Sequence, residues 1–418
     1  MVVIVLIAAG ITPFSGVSAD DNSVRATGGA LPGGPPSALA ASLWTVHPSD
    51  PLANFSTIGD AIASASPGDT IEVWNGTYNE QVIVNKQLMV RSRDGAALTI
   101  VNATGSGSTF TLEADGCTIA GFTISGSGTD STAAGITVQS SGNTIVNNTC
   151  TANGYDGIHL WFSSNNTILN NTCHTNLHNG LTLTTAVNNT IAGNELYNNA
   201  YGILFDPGSS GNMISNNVCH ENLETGIYVE NAMRNTFSKN IVDSNIREGI
   251  VLISGSSRNI LVGNDITANV QGGISLFESS KNTIIKNEIR NNSIAGIYLQ
   301  ESENNLIYRN NFVGNTLNVD SYDSDNHWNS TSLIHYTYDS VEYTRYMGNY
   351  WDDYNGTDTT GDGIGDVPYD IYEEKGEGTE DDFDYYPLSQ PFTSYSVENE
   401  PPVAEFTFTP PSPWSTGV

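Results

Sequence analysis

A dipeptide of Gly followed by Ile or Leu recurs eight times between Gly135 and Ile297, at intervals of 22 to 24 residues. Asparagine triplets with a spacing of five residues accompany these repeats, beginning with Asn143, Asn148 and Asn153. A fixed period of this length is typical of stacked supersecondary units, none of which can bury its apolar face alone. The period therefore predicts a solenoid before any single residue is considered.

Each repeat contains short runs in which apolar and polar residues alternate, as over 158–160 and 297–299. This period of two predicts strands with one face directed inward. Asn, Gly and Ser separate the runs, and Asn and Gly accept the left-handed backbone conformations of corners. Asn at one position in successive coils can form an amide ladder, and crossovers between parallel strands are right-handed. The sequence thus predicts an all-β fold, a right-handed parallel β-helix with coils of roughly 23 residues.

Columns of equivalent residues predict which side chains point inward. The Gly-Ile dipeptides supply one apolar column, made of Ile136, Ile158, Leu181, Ile203, Ile227, Ile250, Ile274 and Ile297. A second apolar column contains Cys150, Cys173, Leu196, Cys219, Val242, Ile266, Ile289 and Phe312. The residue after each member of the second column is of mixed character, and we expect it to face outward.

The two ends of the predicted β-helix need covers, because a solenoid otherwise exposes unpaired strand edges. The segment 54–65 is the only good candidate for an amphipathic helix, and it precedes the first predicted strand. Its apolar stripe contains Phe55, Ile58, Ala61, Ile62 and Ala65. We expect this helix to cap the N-terminal opening.

The charge of the chain and its N-terminal segment bear on its partners and its location. The chain has 418 residues and a formal net charge of −31, which disfavours nucleic acid as a partner and suits divalent cations. Residues 1–19 are predicted to be a signal peptide with no further membrane-spanning segment, and residues 20–42 a linker. We therefore expect a secreted or cell-surface protein. Glycosylation is expected at exposed members of the sequons at Asn54, Asn75, Asn102, Asn147, Asn165, Asn170, Asn188, Asn291, Asn329 and Asn355.

A family resemblance covers Leu43 to about Gln390. The stretch NFSTIGDAIASASPGDTIEVWNGTYNEQVIVNKQLMVRS, the later DGCTIAGFTI and the Asn-Gly coils resemble NosD-like, pectin-lyase-type right-handed β-helix proteins, which carry carbohydrate-binding and sugar-hydrolysis repeats. The block GNYWDDYNGTDTTGDGIGDVPYDI is similar to the terminal block of secreted members. The resemblance implies a β-helix over residues 43–330 and an Asp/Gly/Tyr-rich cap over 331–392.

The C-terminal end, residues 393–418, is expected to be a linker and the truncated start of another module. The motif NEPPVAEFTFTPPSP, residues 399–413, resembles the first strand of an immunoglobulin-like module of the polycystic-kidney-disease (PKD) type.

The resemblance leaves three functions open, because one fold hosts many activities. The first is a non-catalytic binding or structural module for carbohydrate or cell-envelope material, which we favour. The second is a polysaccharide-acting enzyme on the same scaffold, either a lyase, an epimerase or a glycoside hydrolase. The third is copper handling, for which His174 and His220 are the candidate ligands, two coils apart.

A candidate calcium loop lies at 358–366. It resembles the Asp-rich loops of thrombospondin-type repeats, which implies Asp358, Asp362, Asp366 and the carbonyl of Ile364 as Ca²⁺ ligands. Thr360 stands where that pattern has Asp or Asn. The alternative is an acidic, glycine-rich turn that binds no metal.

Aromatic residues on the outer side of the Gly-Ile strands form a candidate ligand-binding face. It contains His159, Trp161, Tyr228, Phe277 and Tyr298. Aromatic rings beside polar groups can stack on sugar rings. The alternative is that these are unrelated surface aromatics, which are common on soluble proteins.

Asp206 and Glu230 are the candidate catalytic carboxylates, because adjacent coils would bring them about 5 Å apart, the spacing of a retaining glycosidase. Against this, the sequence Asp206-Pro207-Gly208 is typical of a turn, and no basic residue is expected nearby. We therefore expect neither residue to be catalytic.

Cys150 and Cys173 occupy the same inward column in adjacent coils. A separation of one coil is within the range for a disulfide, so a bridge is one expectation in an oxidising compartment. The alternative is that both are buried core thiols.

Overall fold

The fold is known from a computed structural model that describes residues 41–371, 373–374 and 382–398. The predicted signal peptide, most of the predicted linker and the PKD-like motif at 399–413 lie outside the described residues.

Three parallel sheets of 12 strands each form the walls of a β-helix. Sheet A contains Leu43–Val46, Thr70–Val73, Met89–Ser92, Thr118–Ala120, Thr144–Val146, Thr167–Leu169, Thr190–Ala192, Met213–Ser215, Thr236–Ser238, Ile260–Val262, Thr283–Ile285 and Leu306–Tyr308. Sheet B contains Gly76–Tyr78, Thr99–Asn102, Thr123–Ser125, Thr149–Thr151, Thr172–His174, Glu195–Tyr197, Val218–His220, Ile241–Asp243, Asp265–Thr267, Glu288–Arg290, Asn311–Val313 and Tyr350–Trp351. Sheet C contains Val82–Val84, Phe110–Leu112, Ala134–Val138, Asp156–Trp161, Leu181–Thr184, Ile203–Phe205, Ile227–Glu230, Ile250–Ile253, Gly272–Phe277, Ala295–Gln300, Leu317–Tyr322 and Glu373–Glu374.

Smaller elements lie at the two ends of the described chain. One α-helix spans Ile58–Ser64, and a short 3₁₀ helix spans Phe392–Ser394. The strands Ile334–Tyr338, Val341–Arg345 and Ser396–Val397 form an antiparallel sheet, and Tyr369–Asp370 pairs with Phe383–Asp384. No helix of the described ranges is long and apolar enough to cross a membrane.

The predicted inward columns are confirmed. In sheet C, Ile136 is the register partner of Ile158, and Ile158 is the partner of Leu181, so the Gly-Ile column is continuous from coil to coil. All eight members of this column are fully buried, as are all eight of the Cys150 column. The residues that follow the Cys150 column are all partly exposed, as expected for an outward column.

The repeated glycine is explained by the close approach of successive coils. A Cβ added to Gly157 would lie 2.6 Å from the carbonyl oxygen of Gly180. A Cβ added to Gly180 would likewise lie 2.7 Å from the carbonyl oxygen of Gly202. Backbone cannot move aside as a flexible side chain can, so these positions accept only glycine without a shift of the coil.

The three asparagine columns form continuous ladders in the core. In each ladder, Nδ2 of one Asn donates to Oδ1 of the Asn in the next coil, at distances of 2.9 to 3.4 Å. Two ladders continue past the regular repeats: Asn305 donates to Asn326, and Asn310 donates to Asn349. Hydrogen-bonded chains of this kind satisfy the buried amides and fix the register of the coils.

The N-terminal capping helix is confirmed but is shorter than predicted. It begins after the N-cap Thr57, because Phe55 is already paired with the first strand through backbone bonds to Thr45 and His47. Ile58, Ala61 and Ile62 are buried on the β-helix side, as the predicted stripe requires.

Charged side chains form hydrogen bonds with the free backbone groups at both ends of this short helix. The carboxylate of Glu80 accepts the backbone N–H groups of Ile58 and Gly59, both at 2.9 Å. The ammonium group of Lys86 donates to the carbonyls of Ile62, Ala63 and Ala65 at 2.8 to 2.9 Å. These pairs satisfy groups that have no partner within the helix.

A buried carboxylate terminates the second asparagine ladder at the C-terminal end. Oδ2 of Asp384 accepts the backbone N–H of Asn349 at 2.7 Å and the indole N–H of Trp351 at 3.0 Å. Burial raises the pKa of Asp384 to about 7, against the opposing effect of these hydrogen bonds. The described residues of 331–398 also have an aromatic core of their own, which includes Tyr336 and Tyr395.

Candidate functional site

A polar cleft of about 280 Å³ opens on the outer side of sheet C. Four successive coils contribute to it. Its walls contain Ser131, Thr132, Tyr155, Asp156, His159, Trp161, Asn179, Thr182, Thr184, Leu204 and Asp206.

Strand alternation and register place the side chains of the cleft. In the strand Asp156–Trp161, Ile158 and Leu160 are buried in the core, so His159 and Trp161 point outward. Their register partners in the next coil are Thr182 and Thr184. Asp206 directly follows the strand Ile203–Phe205 of the coil after that, and its backbone N–H donates to the carbonyl of Leu183.

A hydrogen-bonded chain connects His159 to Asp206 through the hydroxyl of Thr184. Thr184 Oγ1 donates to Oδ2 of Asp206 at 2.7 Å and lies 2.9 Å from Nε2 of His159. Because a hydroxyl has one proton, Nε2 of His159 must be the donor in the second bond. Burial lowers the pKa of His159 to about 4, so the ring is neutral near pH 7 and its Nδ1 is an acceptor.

Three buried polar atoms of the cleft have no hydrogen-bond partner: Oδ2 of Asp156, Nδ1 of His159 and Oδ1 of Asn179. Oδ2 of Asp156 lies 3.9 Å from Nδ1 of His159, too far for a hydrogen bond. The other atoms of these groups are bonded, since Asn179 donates its backbone N–H to Asp156 and its Nδ2 to Thr182. Each unsatisfied buried polar group costs about 1–3 kcal/mol, and these three belong to residues that line the cleft, where a bound molecule can supply partners for them.

The carboxyl group of Asp156 is completely buried. Burial raises its pKa to about 7, opposed by hydrogen bonds of Thr182 and Asn179 and reinforced by the charge of Asp206. Burial therefore favours the protonated form of this carboxyl well above the pH at which an exposed aspartate ionises.

Aromatic rings flank the polar row of the cleft. Trp161 is stacked on His159, with ring centroids 5.8 Å apart and an interplanar angle of 6°. Phe162 lies beside Trp161 and is 68% exposed, with a φ of 49° at a turn. On the other side, Tyr155 is stacked on His178 at 4.1 Å. The cleft thus combines exposed aromatic faces with carboxylate, hydroxyl and amide groups.

The predicted aromatic face is divided in two. His159 and Trp161 line the cleft, whereas Phe277 and Tyr298 form a separate pair with centroids 5.4 Å apart. Trp161 and Phe277 are five coils apart, about 24 Å. Tyr228 packs against Tyr201 between the two groups.

Only one of the predicted pair of carboxylates lies in the cleft. Asp206 lines the cleft and Glu230 does not. The paired register between their strands ends at Phe205 and Val229, one residue before them. The cleft instead brings Asp206 together with Asp156 and Asn179, which the sequence analysis did not select. Asp156 and Asn179 share one feature of the sequence: each is a polar residue directly before the repeat glycine. Alanine occupies the same position in two other coils, as Ala134 and Ala295.

The carboxylates of the candidate calcium loop are bonded to the loop itself. Asp358 accepts backbone N–H groups of Gly361 and Gly363, and Asp366 accepts that of Thr359. Asp362 pairs with Arg345 at 3.0 Å. The part of the chain that the structure describes contains no group of three or more His, Cys, Asp and Glu side chains arranged for a metal ion. Ca²⁺ binding by this loop, with the Ile364 carbonyl as a ligand, stays a prediction.

The remaining candidates lie on sheet B. The rings of His174 and His220 are separated by Tyr197, which stacks on both at 4.9 and 5.0 Å, so they do not face one shared metal position. Cys150 and Cys173 are register partners, but both are buried free thiols in the structure. The disulfide is not formed there and stays a prediction for the protein under oxidising conditions.

Comparisons with known families and structures agree with this architecture. The family described as "Periplasmic copper-binding protein (NosD)" matches residues 207–356, and the family described as "Right handed beta helix region" matches residues 99–266. No curated protein matches the sequence.

Solved structures resemble the fold at low sequence identity. The Dettilon tailspike protein is 14% identical with a TM-score of 0.55, covering 68% of this chain and 67% of the tailspike chain. The periplasmic alginate epimerase AlgG is 17% identical with a TM-score of 0.41, covering 62% of this chain and 72% of its own. Pectate lyase Pel9A is 16% identical with a TM-score of 0.43, covering 68% and 78% respectively. Likeness at this level concerns the fold alone. The family matches and the three parallel sheets together show that the fold is a right-handed parallel β-helix, with a region, residues 207–356, that is similar to the NosD family.

Proposed function

We propose that this protein binds carbohydrate of the cell envelope or its surroundings, and that the cleft beside Trp161 is its binding site. The observation that carries the proposal is the partly exposed indole of Trp161 next to a row of polar groups from Thr184 and Asp206. Sugars are recognised by aromatic stacking on their apolar faces and by hydrogen bonds to their hydroxyl groups, and this cleft supplies both.

A binding role is favoured over a catalytic one by the groups that surround the cleft. No Lys or Arg is among the described residues that line it, so it has no cation to stabilise an enolate or another developing negative charge. Asp156, the acid of the cleft whose pKa is raised, is fully buried, which leaves it unable to reach a glycosidic oxygen directly.

A glycoside hydrolase is the second candidate, and one observation favours it. Asp156 and Asp206 are two carboxyl groups in unlike environments, the first buried with a raised pKa and the second partly exposed. Such pairs provide the acid and the base of glycoside hydrolysis. Reaching a substrate would require movement of the residues that cover Asp156.

We also place the protein outside the cytoplasm, secreted or at the cell surface. The predicted signal peptide at residues 1–19 and the periplasmic description of the matching family support this location.

A glycan array tests the proposal and separates it from the alternative. Wild-type protein and the Trp161→Ala variant would be screened on the same array, and every bound glycan would then be assayed for reducing-sugar and unsaturated products. We expect binding by the wild type, loss of that signal in the variant and no product. An array without any bound glycan would reject the proposal, and product formation that depends on Asp206 would promote the hydrolase.

A further inference from the structure

We infer that the cleft selects a sugar that carries a protonated amine, such as an unacetylated 2-amino sugar, over neutral and anionic sugars. This inference rests on the proposed function and names its substrate class. It is carried by three features of the cleft: its charge, its unpartnered acceptors and its exposed aromatic ring.

The first feature is charge. The lining contains two carboxyl groups, Asp156 and Asp206, and among the residues that the structure describes there no side chain supplies a permanent positive charge. His159 is neutral near pH 7 because burial lowers its pKa to about 4. A uronate would bring a third carboxylate into this cleft without a counter-charge, which is unfavourable.

The second feature is the set of buried atoms without partners. Oδ1 of Asn179 is an acceptor, Nδ1 of His159 is an acceptor in the tautomer fixed by Thr184, and Oδ2 of Asp156 is an acceptor when ionised. Asn179 and His159 therefore present negative potential to the cleft, and Asp156 adds to it when it is ionised. Because these atoms are buried, water screens their potential weakly, and the potential favours a cation beside them.

The third feature is the position that such a cation would take. Asp206 is partly exposed, and its Oδ2 is held by the hydroxyl of Thr184 at 2.7 Å, so the carboxylate is already oriented within the cleft. The indole of Trp161 lines the same cleft, and a cation is attracted to the face of such a ring. An ammonium group between Asp206 and Trp161 gains a charge-assisted hydrogen bond and a cation–π contact together.

Isothermal titration with three oligosaccharides of equal length tests the inference: a glucosamine oligomer, its N-acetylated form and a galacturonate oligomer. We expect the glucosamine oligomer to bind about tenfold or more tightly than the acetylated form, and the galacturonate oligomer to show no binding. The Asp206→Asn variant should lose most of this preference.

The net charge of the whole protein requires a matched control. Because the chain carries a formal charge of −31, it attracts a polycation without any specific site. Asp243→Asn removes the same charge from sheet B, away from the cleft, and should keep the preference. Equal losses in both variants would overturn the inference, as would equal affinity for the amine and its acetylated form. Binding of neutral sugars with no amine preference would leave the proposed function standing, and no binding of any sugar would reject both.

Discussion

Oδ2 of Asp156 and Nδ1 of His159 lie 3.9 Å apart in the cleft, and neither atom has a hydrogen-bond partner. The two groups respond to the same burial in opposite directions. The pKa of Asp156 is raised to about 7 and that of His159 is lowered to about 4, so burial disfavours the charged form of each. His159 is therefore already neutral at the pH at which Asp156 ionises, and the two groups do not form an ion pair at neutral pH.

The raised pKa of Asp156 predicts how stability depends on pH. The folded protein holds this proton up to about pH 7, whereas the unfolded chain releases it near 3.8. The contribution of the group to folding is therefore largest below pH 3.8 and is lost as the pH rises to about 7. An Asp156→Asn variant cannot ionise, so its Tm relative to wild type should rise between those pH values and then level off.

Thermal melts of both proteins at intervals across that range check this prediction. Asp243→Asn, a change on the outer side of sheet B, serves as the control and should show no such trend. A Tm difference between Asp156→Asn and wild type that stays constant with pH would contradict the account of the cleft.

The repeat glycine predicts a steric effect of substitution. Gly180→Ala would place a methyl group 2.7 Å from the carbonyl of Gly202 and 2.9 Å from Leu196. Overpacking of this kind costs about 1–3 kcal/mol, which denaturant unfolding can measure. Gly255→Asn is a suitable control, because that position has open space and a φ of +82°, which Asn tolerates. Equal stability of the two variants would argue against close coil packing as the reason for the glycine.

The hydrogen bonds of Lys86 predict that this residue stabilises the N-terminal capping helix. Lys86→Met keeps the apolar stem but leaves the carbonyls of Ile62, Ala63 and Ala65 without their donor. We expect a loss of about 1–2 kcal/mol in unfolding free energy, and faster hydrogen exchange over the helix. Lys281→Met, at an exposed corner, should change neither quantity.

The calcium hypothesis makes a separate prediction. If Asp358, Asp362 and Asp366 bind Ca²⁺, the ion raises the Tm of the wild type by stabilising the folded state, and Asp358→Asn removes that increase. Scanning calorimetry with Ca²⁺ and with a chelator provides the measurement. Identical melting curves in both conditions would reject calcium and leave the loop as an acidic turn held by its own hydrogen bonds.

The sequence predicted the fold because the fold depends on periodicity. The alternation of apolar and polar residues around Ile158 is a local pattern. The column through Cys150 repeats with the period of the coil, so parallel stacking makes equivalent residues of successive coils register partners. Contacts between distant parts of the chain were not predicted. Phe55 pairs with the first strand, which shortens the helix. Asn349 joins the asparagine ladder at Asn310, 39 residues earlier in the chain.

The cleft was predicted only in part. His159 and Trp161 were found because strand alternation directs them outward. Asp156 and Asn179 were missed because both precede the glycine of their coil, where alternation does not determine the direction of a side chain. The burial that shifts their chemistry depends on the neighbouring coils rather than on local sequence.

The most direct test of the account compares two single substitutions on the same face of sheet C. Trp161→Ala removes the aromatic wall of the cleft, and Phe277→Ala removes a similar, partly exposed aromatic residue five coils away. Isothermal titration with the best glycan from the array would measure both. If the cleft is the binding site, Trp161→Ala weakens glycan binding by about tenfold or more, whereas Phe277→Ala leaves the affinity unchanged. Equal affinity of Trp161→Ala and wild type, or a larger loss in Phe277→Ala, would show that the cleft is not the binding site.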